Sequence, residues 1–306
     1  MQADQVSKTA KGTAFMRAYH AACDHPKIFD DFLAHRFITA EERLDREERH
    51  LKAFRLFDPA RAAACPDRAS ALACWMQSSA PPPVVLGRAR YAEDHLEAAV
   101  RRQEVQQYVI LGAGLDTFAL RRSHLLAQLK VFEVDHPATQ AYKRLRLREA
   151  GLEEPAQLHF LPVDFSRDNL AAALRRSSYD PQAPSFFSWL GVTYYLTRQA
   201  MLATLGAIAE VSPAGSAVIF DYLDTDAFVP EKAARRVQVM GELVRMLGEP
   251  MITGLDPATL AADLAAVGLR LLEDLSPEDI QSRFFAGRLD GYHACEHAHF
   301  AWAAVA

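Results

Sequence analysis

The chain has 306 residues, room for one large domain or two ordinary ones and for a substantial core. Half of its residues are hydrophobic and 24% are charged, a balance that excludes a chain too polar to fold. With 34 basic against 39 acidic side chains the formal charge is −5, so there is no net pull toward nucleic acid or anionic lipid, and neither is expected as a partner.

The first twenty residues mix Lys8, Lys11 and Arg17 without a continuous apolar stretch, so no secretion signal is expected. Nowhere is there an apolar run of the roughly eighteen residues that span a bilayer. Cys23, Cys65, Cys74 and Cys295 form no CxxC pair, and reduced thiols in a cytoplasmic protein are expected. Through the first eighty residues apolar side chains recur at helical spacing, as in Phe54, Leu56 and Phe57 and again in Leu72, Trp75 and Met76. Pro81, Pro82 and Pro83 should stop any helix, because proline lacks an amide donor. The segment 78–83 is therefore the expected joint between a helical cap region, 1–83, and a catalytic domain, 84–306.

Beyond Tyr91 short apolar runs alternate with longer amphipathic segments. Strands are predicted over 108–111, 131–134, 159–163, 185–190 and 217–222, with helices between them over 119–128, 138–150, 167–177 and 197–211. Such alternation implies a mostly parallel α/β sheet with helices on both faces. Further strands are predicted over 269–275 and 299–305. The segment 224–248 breaks the alternation as a charged helical insert after the fifth strand, placed to act with the N-terminal helices as a lid.

In open α/β sheets ligands lie beyond the carboxyl ends of the strands, so the residues ending each run carry the information. Gly112 and Gly114 follow the first strand and let a ligand approach backbone amides without meeting a Cβ. An ordinary tight turn is the alternative. A dinucleotide fingerprint would place a third small residue three positions after Gly114, where Thr117 stands behind Asp116. A carboxylate there suits a ligand bearing positive charge, an ammonium or a sulfonium. Asp135 ends the second strand where an acid commonly accepts ribose hydroxyls, with Glu133 two residues earlier on the same face. Asp164 ends the third beside Phe165, a pair suited to an adenine amino group and ring.

These residues resemble a known family. Gln107-Tyr-Val-Ile-Leu-Gly-Ala-Gly-Leu-Asp-Thr117 followed by Arg121, then Phe132-Glu-Val-Asp-His-Pro137 with Lys143, is similar to the leucine carboxyl methyltransferases and their bacterial members. The likeness continues through Leu161-Pro-Val-Asp-Phe165, Leu190-Gly-Val-Thr-Tyr-Tyr-Leu-Thr197 and Pro213-Ala-Gly-Ser216, and covers nearly the whole chain. The resemblance implies a class I methyltransferase with a Rossmann-like seven-stranded sheet whose last pair includes an antiparallel strand, and S-adenosyl-L-methionine as cofactor. It implies Arg88 against the cofactor carboxylate, Gly112 and Gly114 against its methionine part, Asp135 on the ribose, and Asp164 with Phe165 on the adenine. The segment 13–31 resembles the family's cap, with Arg17 helping to hold the cofactor. Leu190 stands at a cofactor-contacting position where eukaryotic members carry an acid, so protein C-terminal leucine is not carried over as substrate. A small-molecule methyl acceptor, methylated on a carboxylate or hydroxyl oxygen, is expected instead.

Methyl transfer from a sulfonium is an in-line displacement, in which positioning alone supplies up to roughly 7 to 11 kcal/mol. A carboxylate acceptor needs no base, whereas an alcohol or phenol does. Tyr194, Tyr195, Asp221 and Tyr222 near the strand ends are the candidates, Tyr194 and Tyr222 foremost; the alternative is that the tyrosines fill core or pocket wall. His293, Cys295, His297 and His299 alternate with period two and on a strand would face one way, but ligands on one strand are too collinear for a tetrahedral metal site, and no metal is expected. Two other functions compete: a nicotinamide-dependent oxidoreductase, which Asp116 and Thr117 disfavour, and a non-catalytic cofactor-binding scaffold, which Leu190 keeps open. No sequence feature bears on oligomeric state.

Overall fold

The computed structural model describes residues 6–165 and 167–306, so residues 1–5 of the expected cap lie outside the described residues. Helix α1 (Lys8–Cys23) starts where the Ser7 hydroxyl accepts the Ala10 amide, and α2 (Ala40–Phe57) starts in a reciprocal capping box between Thr39 and Glu42. Two shorter helices follow, α3 (Pro59–Ala64) and α4 (Arg68–Ser78), each capped by an aspartate, Asp58 and Asp67. The prolines do end α4, but they also begin α5 (Pro81–Arg101). First-turn amides have no partner within the helix, so three prolines there forfeit nothing. The expected joint is thus a two-residue gap between helices, and a boundary after residue 83 falls inside α5.

The remaining elements are β1 (Gln107–Leu111), α6 (Phe118–Arg121), β2 (Lys130–Asp135), α7 (Pro137–Glu149), β3 (Leu158–Pro162), α8 (Leu170–Arg175), β4 (Ser185–Trp189), α9 (Arg198–Val211), β5 (Ala217–Leu223), α10 (Arg235–Met246), α11 (Pro257–Ala265), β6 (Leu269–Leu275), α12 (Pro277–Ile280) and β7 (Ala298–Val305). All seven predicted strands are present. The 119–128 helix is not continuous: α6 is one turn long, and a 3-10 turn at Ser123–Ala127 follows it. The 224–248 insert comprises a 3-10 turn at Thr225–Phe228 and the helix α10.

The strands form one sheet in the order β3-β2-β1-β4-β5-β7-β6, parallel except for β7, which runs antiparallel to both β5 and β6. Strand order reverses between β1 and β4, which places a crevice beyond the carboxyl ends of those two strands. Successive residues of β1 enter opposite cores. Tyr108 and Ile110 pack with Leu96, Phe118 and Ile219, while Val109 and Leu111 pack with Phe132, Phe187 and Leu205. A third core joins Phe15 and Met16 of α1 to Phe37, Val85 and Leu115, so the cap buries its apolar face against the loop that follows β1.

Candidate functional site

Gly112 and Gly114 both have positive φ, +68° and +55°, the left-handed region that side chains disfavour. A Cβ on Gly112 would lie 2.5 Å from Val192 Cγ2, and one on Gly114 would lie 3.2 Å from Ala10 Cβ. The loop therefore passes between the β4 loop and α1 only because both side chains are absent. Asp135 closes the loop from the neighbouring strand. One carboxylate oxygen accepts the Gly114 amide and the other accepts the His136 amide at 2.6 Å. Burial raises the Asp135 pKa, and the two amides work against that rise. Asp116 turns back to accept the Phe118 amide at 2.7 Å, at the start of α6.

A buried ionic network holds the cap onto this loop. Arg17 donates to Asp31 Oδ2 at 2.8 Å and to the Leu115 carbonyl at 2.7 Å. Asp31 also accepts from Thr117 Oγ1 at 2.6 Å and lies 3.3 Å from Arg121 Nε. Arg121 in turn pairs with Glu93 of α5. Burial alone would raise the Asp31 pKa, yet the Arg17 and Arg121 guanidiniums hold it below the usual carboxylate value. Thr117, the residue that departs from a dinucleotide fingerprint, is therefore tied into this network.

On the other side of the crevice Arg88 of α5 donates through Nη1 to Asp221 Oδ2 at 2.8 Å and to the Tyr194 hydroxyl at 2.9 Å. Asp221 accepts the Gly191 amide at 2.6 Å through its second oxygen. Gly191 has φ +75°, and a Cβ there would sit 2.4 Å from Arg88 Nη2. Glycine is what lets the guanidinium lie against the backbone.

The glycine loop, Asp116, Asp135, Arg17, Glu93, Arg88 and Gly191 line one cavity of about 550 Å³, within the range of about 300–1,000 Å³ typical of small-molecule sites. Arg17, Arg88, Gly112, Gly114, Asp135, Asp164, Phe165 and Leu190 are all among its lining residues. Tyr194 is not; it lines an adjoining cavity of about 390 Å³.

Two expectations are corrected, those for Tyr222 and for the histidines near the last strand. Tyr222 does not reach either cavity, because Asp221 takes the crevice side of β5 and its neighbour points to the opposite face. There the Tyr222 hydroxyl donates to Asp274 at 2.7 Å and the ring stacks on His299 at 4.9 Å. Glu133 is buried behind the sheet end, paired with Lys143, and burial pushes its pKa up to about 7. His293, Cys295, His297 and His299 do not share a face, since β7 begins only at Ala298. His293 bonds the Gly291 carbonyl, Cys295 is buried with its thiol pushed up to about 11 by desolvation, and His297 bonds Asp224. Among the described residues no group of three or more His, Cys, Asp or Glu could hold a metal ion, and no helix is long and apolar enough to cross a membrane. Asp31, Glu93 and Arg121 are the site-supporting residues that sequence reasoning passed over as site residues; their partners come from segments far apart in the chain.

Residues 10–209 match the family model of the leucine carboxyl methyltransferases. The Bacillus subtilis protein described as "Putative S-adenosyl-L-methionine-dependent methyltransferase YktD" is 36% identical over 98% of this chain and 98% of its own length. A Mycobacterium avium protein described as "Putative S-adenosyl-L-methionine-dependent methyltransferase" is 37% identical over 51% of this chain and 52% of its own length. Among solved structures, a DUF574 family protein from Streptomyces avermitilis superposes with TM-score 0.60 at 12% identity, covering 99% of both chains. A Thermobifida fusca protein superposes with TM-score 0.55 at 13% identity, covering 83% of this chain and 94% of its own. At such identities these two structures speak for the fold alone. The chain therefore belongs to the leucine carboxyl methyltransferase family and is a methyltransferase that depends on S-adenosyl-L-methionine.

Proposed function

We propose that this methyltransferase acts on a carboxylate oxygen of a small metabolite. The crevice suits the cofactor on its own chemistry: glycines whose Cβ atoms would fill the cradle, and the carboxylates Asp116, Asp135 and Asp164 around a ligand whose reactive centre is cationic. Gly112 and Gly114 would receive the methionine part, Arg88 its carboxylate with Arg17 behind the loop, Asp135 the ribose, and Asp164 with Phe165 the adenine. Leu190 would give the nucleoside an apolar wall where an acid would have given it a polar contact.

When bound, the cofactor supplies a methyl group on sulfonium: an acceptor oxygen's electron pair forms the new C–O bond as the C–S bond breaks and its electrons return to sulfur. A carboxylate acceptor thereby becomes a neutral ester without releasing a proton. The observation that carries this reading lies where the two cavities meet, at Thr9, Thr13, Val85, Arg88 and Tyr195, none of which is itself a base at neutral pH; the Glu249 carboxylate of the crevice lining is engaged by the Thr9 hydroxyl. Burial raises the Tyr195 pKa far above neutrality and pushes Tyr194 up to about 12, with the Tyr194 hydroxyl already engaged by Arg88. An acceptor that arrives ionised needs nothing more from the protein than alignment. The four cysteines are free thiols, which supports a reducing, cytoplasmic setting.

The test uses cofactor labelled in its methyl group and an extract of small metabolites. Alkaline treatment of the products should release the label as methanol, because esters hydrolyse and ethers do not. Label that survives alkali would refute a carboxylate acceptor.

A further inference from the structure

The second cavity, about 390 Å³, lies between α1, α2, α5 and α10 and opens onto the cofactor crevice. We infer that it is the acceptor's own chamber and that its occupant is an amphiphilic anion, a carboxylate carried on an apolar body. The inference rests on the methyl-transfer reading above and adds the acceptor's class and the residue that selects it.

The walls are apolar and adaptable. Met16 of α1, Val84 of α5, and Met240, Leu243 and Leu247 of the insert line the chamber together with Met251. Unbranched methionines accommodate irregular hydrophobic shapes. The charged residues of the lining all have one sign: Lys8, Arg46, Arg49, Lys52 and Arg88 are present, and no aspartate or glutamate is. Arg88 pairs with Asp221 and is the residue assigned above to the cofactor carboxylate, and Arg49 pairs with Asp45 at 2.7 Å.

Arg46 is not committed. It is half-buried, and its hydrogen bond is to a backbone carbonyl, that of Lys8, at 2.9 Å. No carboxylate lies within ion-pair distance of it among the described residues. Its guanidinium passes over Gly12, whose Cβ would be 3.7 Å from Nη1. Desolvation, then the neighbouring Arg49, lowers its pKa, while Asp45, Glu42 and Glu249 act on it from beyond contact distance in the opposite sense. None of these carboxylates touches it, so its remaining guanidinium donors stay open to an incoming anion, which would offset the cost of partial desolvation. His50 adds a second donor. Its Nδ1 accepts the Trp75 indole N–H at 3.1 Å, and burial holds the ring neutral with its pKa pushed down to about 4, so the proton sits on Nε2. Methylation would cancel the charge that Arg46 recognises, so the chamber that admits the acid would hold the ester less tightly.

The test is calorimetric binding of three ten-carbon probes to the full chain without cofactor: decanoate, methyl decanoate and decyltrimethylammonium. Decanoate should bind at least tenfold more tightly than the other two. Arg46→Gln should remove that preference while leaving methyl decanoate and S-adenosylhomocysteine affinities within twofold, and Arg46→Lys should restore part of it. Equal binding of acid and ester, absence of decanoate binding, or an equal loss of all probes in Arg46→Gln would overturn the inference. The two readings fail separately. Decanoate selected through Arg46, alongside alkali-stable methyl product, sustains the chamber and removes the carboxylate reaction; methyl ester formed with unchanged efficiency by Arg46→Gln does the reverse.

Discussion

At the scale of single residues the crevice depends on side chains that are absent and on charges that are paired. Gly112→Ala introduces a methyl group 2.5 Å from Val192 at a backbone angle that alanine resists. Strain of this kind costs about 1–3 kcal/mol, so the variant should unfold at lower urea and bind S-adenosylhomocysteine at least tenfold more weakly. Retained affinity with an unchanged unfolding midpoint would show that the loop tolerates a Cβ. Asp31 carries a prediction in pH. Its folded pKa lies below the ordinary value, so its contribution to stability is present above that value and is lost as pH falls through the folded one. Asp31→Asn should therefore be less stable than the parent at pH 7 by about 3–5 kcal/mol, and the difference in urea midpoint should shrink toward pH 3. Glycines at a strand end and an acid at the next strand end were legible because their spacing is local. Asp31 and Arg46 were not, because each acquires its meaning from partners on other helices; Thr117, which binds Asp31, lies 86 positions away.

At the scale of elements, strands were easier to read than helices for a physical reason. A buried strand shows itself as a short apolar run whatever surrounds it. A helix also depends on what its polar residues find, and in 119–128 Arg121 finds Glu93 and Asp31, while the backbone leaves helical geometry at Arg122. The prolines misled in the opposite sense, because the rule that they end helices is also the rule that lets them begin one. The histidines near β7 serve an element as well. Helix α10 lacks a side-chain cap of its own; the Ala234 amide at its start donates to His297 Nε2 at 3.0 Å, and His297 Nδ1 in turn bonds Asp224 at 2.9 Å. Because Nε2 accepts, the proton must be on Nδ1. His297→Ala should speed hydrogen exchange through Arg235–Met246, the wall of the second cavity, and leave the amides of β1 and β2 unchanged. Uniform acceleration across the sheet would instead mean global destabilisation.

At the scale of the molecule, the sheet's reversal between β1 and β4 positions one cavity, and the packing of cap against insert positions another beside it. The two meet at Thr9, Thr13, Val85, Arg88 and Tyr195, but Gly112, Gly114 and Asp135 line the crevice alone and Arg46 and His50 line the chamber alone. Their affinities should therefore be separable. A ligand at a hundred times its Kd stabilises the folded chain by about 2.7 kcal/mol, which in a protein of this size raises Tm by about 5 °C. S-adenosylhomocysteine should produce that rise and NAD none, since the loop offers acids where a pyrophosphate would lie. Asp135→Ala removes acceptors for ribose hydroxyls, a loss of roughly 1.5–3 kcal/mol, and should cut the shift to about half or less at the same ligand concentration. Arg46→Gln lies outside the crevice lining and should keep the shift whole. If Arg46→Gln abolished it too, the cavities would be one coupled site, and the separation between the fold's crevice and the cap's chamber would not hold.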